Sequence, residues 1–225
     1  IFELNTSLPM INQTEKNINY LTPKASIRFN PGDMKDYTSS DRSINVDGIF
    51  DINRLAIDDS FEEGKSLTLG VDYKKTKLND INKFFEAKIA TVYRDKNEKF
   101  IPQSSGINGK DTNIFGSISN NLSDTLNISY NFILDNDLNT LEYNSLNTSI
   151  NYKNFNTLFN FIEEDGTIGE TNTIENKTSI KFNDENYLTF NTRRNRKINL
   201  TEYYNLIYEY KNDCLIAGVK YNKSY

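Results

Sequence analysis

Apolar and polar positions alternate with period two along most of the chain after residue 66. Leu67, Leu69, Val71 and Tyr73 are separated by Thr68, Gly70 and Asp72. Leu126, Ile128, Tyr130 and Phe132 are separated by Asn127, Ser129 and Asn131. The same spacing recurs in Leu146–Tyr152, Phe155–Phe161, Thr178–Phe182, Tyr204–Tyr210 and Leu215–Tyr221. Successive side chains of a strand point to opposite faces, so each segment is a strand with one apolar face and one face rich in Asn and Ser. The pattern predicts ten strands, near 66–77, 84–94, 114–122, 126–134, 144–152, 155–162, 174–182, 187–192, 200–210 and 214–222. Upstream, Ala25–Phe29 reads as a short strand running into the turn Asn30-Pro31-Gly32-Asp33, and Ile44–Phe50 as another strand.

The connections add a second pattern. Those near 78–83, 123–125, 153–154, 183–186 and 211–213 are tight, whereas 95–113, 135–143, 163–173 and 193–199 are long. In an up-and-down meander alternate connections share one end, so tight turns gather at one end and extended loops at the other. Outer-membrane barrels have that asymmetry. The expected fold class is therefore all-β: an antiparallel up-and-down meander that forms part of a large transmembrane β-barrel. A soluble β-sandwich or adhesin, with a second sheet covering the apolar face, is the alternative. Aromatics near strand ends (Tyr73, Tyr93, Tyr152, Phe182, Tyr187, Tyr210, Tyr221) suit interfacial girdles, although Tyr and Phe also favour strands generally. The whole of residues 1–225 reads as one domain.

Composition narrows the function. The chain has 225 residues, no His and one Cys. His-based acid–base chemistry and His-ligated metal sites are excluded. No apolar run reaches the ~20 residues of a membrane helix. A net charge of -5 argues against a nucleic-acid partner. No nucleophile elbow, phosphate loop, zinc pattern or dinucleotide fingerprint is present, so neither an enzyme nor a cofactor is expected.

Two charged clusters stand out. Asp58-Asp59 and Glu62-Glu63 fall in a predicted loop; a Ca²⁺ site is one reading, and a solvated acidic loop is the better one, since EF-hand spacing is absent. Arg193, Arg194, Arg196 and Lys197 form the dense basic cluster, on the long-loop side. Guanidinium groups pair phosphate bidentately, so they suit contact with lipid A phosphates or core sugars; a solvated loop tip is the other reading.

Several segments resemble the LptD family of lipopolysaccharide (LPS) assembly proteins, the organic-solvent-tolerance family. Asn45-Val46-Asp47-Gly48-Ile49-Phe50-Asp51-Ile52-Asn53-Arg54-Leu55 is similar to the family's NLF-x-x-NR-F stretch, through Phe50, Asn53 and Arg54. The family's following G-x-D-R-x-E-x-G motif is matched at Asp59, Glu62 and Gly64, with Ile57 and Ser60 in place of its Gly and Arg. Tyr93-Arg94, Ser105-Gly106 and Phe132-Ile133-Leu134-Asp135 sit where the family has similar residues, and Tyr203–Leu215 resembles its late strands and a Cys-bearing turn.

The resemblance implies the later part of an outer-membrane barrel of a Gram-negative bacterium, with the N-terminal jellyroll and remaining strands outside this chain. It implies an LPS translocon that opens laterally to insert its cargo into the outer leaflet. The partners implied are LPS, outer-membrane lipids, an LptE-like plug lipoprotein and, through the jellyroll, a periplasmic bridge protein. It also implies that Cys214 forms a disulfide with a cysteine outside this chain, in the oxidising periplasm. A general porin or adhesin barrel is the runner-up.

Overall fold

The computed structural model describes residues 1–121 and 123–225. It contains thirteen strands: β1 (Phe2–Ser7), β2 (Met10–Gln13), β3 (Asn17–Asn30), β4 (Gly64–Lys77), β5 (Asp80–Arg94), β6 (Asp111–Asn120), β7 (Leu126–Leu134), β8 (Leu141–Tyr152), β9 (Phe155–Glu164), β10 (Asn172–Lys181), β11 (Asn186–Asn195), β12 (Leu200–Lys211) and β13 (Ile216–Ser224). They form one antiparallel meander, each strand from β3 onward pairing with the next. All ten strands expected after residue 66 are present; the third was expected to reach residue 122, which lies outside the described residues. From β3 on, strands run 9 to 15 residues, around and above the ~9–11 of a tilted membrane strand.

The N-terminal part departs from expectation. β1 and β2 were not anticipated, and β3 is longer than the five residues foreseen. β1 and β2 share one register on β3, with Ser7 opposite Lys24 and Met10 opposite Leu21. The Leu8 N–H donates to the Pro23 carbonyl at 3.0 Å between them. Pro9, which has no N–H, interrupts what is otherwise a single strand. Ile44–Phe50 is not a strand. The Asn45 side-chain oxygen accepts the Asp47 and Gly48 N–H groups at 3.0 and 2.9 Å, folding the backbone into turns.

Register turns the separate alternations into one surface. Leu126, Ile150, Thr157, Thr178, Phe190, Leu206 and Tyr221 lie opposite one another in sequence across seven strands. On the other face, Ser129, Asn147, Asn160, Glu175, Arg193 and Tyr203 make a parallel polar row. The apolar face is bare: Ile27 is 58% exposed, Leu69 41% and Tyr221 58%. No second sheet covers it among the described residues, which removes the sandwich alternative. The sheet is part of a β-barrel whose outer face is apolar and whose inner face is polar. Tyr73, Tyr152 and Tyr210 lie on the outer face toward the tight turns, and Tyr93 toward the long connections. Tyr187 instead shares the inner row with Lys181 and Glu209, and Tyr221 lies within the outer row, so neither belongs to an outer rim.

The asymmetry of the ends is strong in the first half of the sheet and fades along it. Connections 31–63 and 95–110 face the tight 78–79, whereas 196–199 is no longer than 182–185 or 212–215. The extended loop expected at 193–199 is thus a short turn, because β11 continues to Asn195.

The two longest connections fold back over the inner face of β3–β7. Their apolar residues build the buried core. Met34, Ile44, Val46, Ile49, Leu55 and Ile57 from 31–63, with Ile101 and Ile107 from 95–110, pack on Ala90, Val92, Phe115 and Ile133 of the wall. The segment 31–63 is here called the strap. Burying these side chains offsets the entropy of ordering a long connection.

The two-faced sheet yields a direct expectation. Leu69→Arg, at the middle of the outer face, should cost about 2–4 kcal/mol in a bilayer. Asn147→Arg, on the exposed inner face, should be near neutral. Denaturant unfolding of the full-length protein in lipid vesicles reads both; equal costs would mean that the faces are misassigned.

Candidate functional site

The strap is held by charge as well as by apolar contact. Its anchor is Glu62, just before β4, with a side chain only 4% exposed. A buried carboxylate must be compensated, and three arginines do so. Arg54, also in the strap, is bidentate: Nε donates to one carboxylate oxygen at 2.7 Å and Nη2 to the other. Arg94, near the end of β5, donates through Nη2 to the same oxygen as Arg54 Nη2. Arg28, near the end of β3, donates through Nη1 at 3.4 Å. Register explains the convergence: Arg28, Ser66 and Arg94 lie opposite one another on the inner face, at the strand ends where the long connections begin.

The remaining donors are also engaged. Arg54 Nη1 reaches the Thr68 hydroxyl at 2.9 Å and Nη2 the Ser66 hydroxyl at 3.2 Å. Arg94 Nε donates to the Ile107 carbonyl at 2.7 Å and Nη1 to the Glu63 carbonyl at 3.3 Å. The second long connection is thereby tied into the same centre. Burial alone would raise the Glu62 carboxyl, but Arg54, Arg94 and Arg28 outweigh it and bring it down to about 2.

The other residues of the two family-like stretches support this centre. Asn53 closes the turn below it, its Nδ2 donating to the Ile57 carbonyl at 2.8 Å and its Oδ1 accepting the Ile57 N–H at 3.0 Å. Phe50 lies against the wall at Gly70, where a Cβ would come within 2.9 Å of its ring, and Lys24 sits 5.6 Å from the ring centroid. Gly64 has φ +87°, which a side chain would strain, and Glu98 occupies the space its Cβ would need. Asp59 stays at the surface, bonded by Lys35 at 2.5 Å and by the Tyr37 hydroxyl.

The acidic quartet is therefore not one solvated loop. Asp58 and Asp59 are exposed, whereas Glu62 is buried and Glu63 pairs with Lys96 at 3.2 Å. Three of the four carboxylates are taken by cations of the protein itself. Sequence reasoning missed Arg28 and Arg94 as members of the centre; the available signal was an Arg facing inward at the end of each strand that enters a long connection.

The basic residues are paired too. Arg193 meets Glu175 at 3.2 Å and Glu202 at 2.9 Å, Lys197 meets Glu170 at 2.7 Å, and Arg194 bonds Asn199. Arg196 lies 3.8 Å from Glu163 and over the Phe161 ring. Arg193 and Arg194 belong to β11, so the cluster straddles a strand end and a turn. A phosphate would share these cations with four glutamates. Cys214 is free and exposed in the turn after β12, where Asn212 Oδ1 accepts the Cys214 and Leu215 N–H groups.

The centre makes the strap acid-sensitive. The Glu62 carboxyl is held below its ordinary 4.5, so its contribution is complete above that pH and is lost as pH falls toward about 2. Protection of the amides in 49–57, taken relative to their intrinsic exchange at each pH, should hold from neutral pH to about 4.5 and fall below it. Glu62→Gln should open the strap at neutral pH, at a cost of about 3–5 kcal/mol for breaking a buried pair. Unchanged exchange in the variant would remove Glu62 as the anchor.

The family model for LptD, LPS transport system D, matches residues 1–185. No curated protein matches the sequence. The match takes in the strap, Glu62 with its three arginines and the strands through β10, and it ends before the basic cluster, the Tyr203–Leu215 segment and Cys214. Covering most of the sequence, it shows that the chain belongs to the LptD family of LPS transport proteins.

Proposed function

We propose that this chain is the part of an outer-membrane LPS translocon that forms one wall of the conduit and narrows it with an inward-folded strap. The observation that carries this reading is the division of one sheet into a bare apolar face and a polar face. Hydrocarbon can cover the first, and the second suits a wet passage for a saccharide-bearing lipid. The packing of the strap spans the inner face of β3–β7 and reaches Tyr143 of β8. The inner rows of β8–β12, with Asn147, Asn160, Asn191 and Asn205, are left to face the passage.

In this reading the long connections lie outside the cell and the tight turns in the periplasm. LPS leaves sideways through an opening in the barrel wall toward the outer leaflet. An LptE-like plug lipoprotein and a periplasmic bridge protein are its partners. Cys214, exposed in a tight turn, lies on the periplasmic side and pairs with a cysteine outside residues 1–225. The basic residues from Arg193 to Lys197 lie at the outer rim, where lipid A phosphates compete with the glutamates for them. The driving force comes from other components, and no chemical step is assigned to the barrel.

Site-specific photocrosslinking in cells tests the route. A photoreactive residue at Asn191 or Asn205 of the full-length protein should capture LPS while transport is running and lose it when LPS supply stops. Capture that is absent at both positions, in a protein that still supports growth, would overturn the conduit. In the same cells Cys214 should be blocked to thiol reagents until reductant is added; a freely reacting thiol would refute the disulfide.

A further inference from the structure

Strand β1 is exposed at nearly every position, yet it carries one buried carboxylate. The Glu3 side chain is 6% exposed and lies directly opposite Arg28 in the β1–β3 ladder. Arg28 Nη2 and Nε donate to one of its oxygens at 3.0 and 3.3 Å, and Asn5 Nδ2 donates to the other at 2.6 Å. The same guanidinium turns its Nη1 to Glu62 and also donates from Nη2 to the Asp51 carbonyl of the strap. One side chain therefore joins β1 to the strap.

Charge makes the link more than a contact. Arg28 is shared between two glutamates, Glu3 and Glu62, whereas Arg54 and Arg94 pair with Glu62. Withdrawing Glu3 leaves Glu62 as the one carboxylate bonded to the three guanidinium groups. Arg28 and Arg54 then repel each other with less to offset it, and the strap carries Arg54. The effect reaches the strap although Glu3 makes no hydrogen bond to it.

We propose that β1 and the strap form one electrostatically coupled unit with Arg28 as the relay, so that displacing β1 releases the strap from the inner wall. The coupling stands on the ion geometry alone. Its use, widening the passage when the wall moves at β1, rests on the transport reading.

Hydrogen exchange of the full-length protein in lipid nanodiscs, without LPS, tests the coupling separately from transport. The readouts are the β1 amides and the strap amides of Asp51, Ala56 and Ile57, each hydrogen-bonded within the strap. Glu3→Gln should speed exchange in both places, by at least about fivefold in the strap, the lower end of ordinary inter-site coupling. Leu4→Ala, which alters β1 on its outer face, should leave the strap unchanged. Coupling is reciprocal, so Glu62→Gln should in turn quicken β1. Faster exchange confined to β1 in Glu3→Gln, or a β1 untouched by Glu62→Gln, would overturn the proposal. If Glu3→Gln does not assemble, Glu3→Asp keeps the charge, shortens the arm and is held to the same two outcomes.

Discussion

A carboxylate removed from water must be matched by charge and hydrogen bonds, and Glu62 imposes that requirement on everything around it. Its partners come from β3, from β5 and from the strap itself. Satisfying one side chain therefore fixes where the long connection after β3 must lie. A connection of that length would otherwise lose much conformational freedom for little return. The arginine cage supplies direction, and the apolar residues of the strap supply the burial that holds it there. Partial loss of such a network is costlier than its absence.

The sheet and the strap solve complementary problems. An antiparallel wall in hydrocarbon pairs its backbone groups with its neighbours and turns apolar side chains outward. Its inner face is then polar and has no hydrophobic layer against which to pack. The strap provides such a layer locally, over Ala90, Val92, Phe115 and Ile133. The protein thus has two apolar surfaces of different kinds: a broad outer belt left bare by the described residues, and a small inner core made largely by connections. Family membership in LPS transport gives this division its sense, since a lipid with a large saccharide needs both a greasy exterior and a polar route.

The strands from β4 onward were readable because period two is a direct consequence of backbone geometry, and Leu67–Tyr73 or Tyr204–Tyr210 show it without interruption. The registers joining those segments into one outer face follow from the tight turns between them. β1 carries the same alternation in Phe2-Glu3-Leu4-Asn5 but is short, and Pro9 breaks its continuation into β2. Ile44–Phe50 misled for a physical reason: its apolar spacing serves packing on the inner wall, while Asn45 folds its backbone into turns. That a connection turns inward is not encoded in periodicity. The sign of it was compositional, eight buried aliphatic residues in two stretches that would otherwise be solvated loops. The pairing of Glu62 with Arg28 and Arg94 needed the register of three strands and could not come from spacing in one.

The most direct measurement is a spin-label accessibility scan along β4 of the full-length protein in a bilayer. Labels at Leu67, Leu69, Val71 and Tyr73 should be reached by lipid-soluble oxygen and shielded from a water-soluble nickel complex. Labels at Asp72 and Lys74, on the inner face, should show the reverse. Equal accessibility at adjacent positions, or oxygen reaching the even-numbered ones, would contradict the two-faced wall on which the account rests.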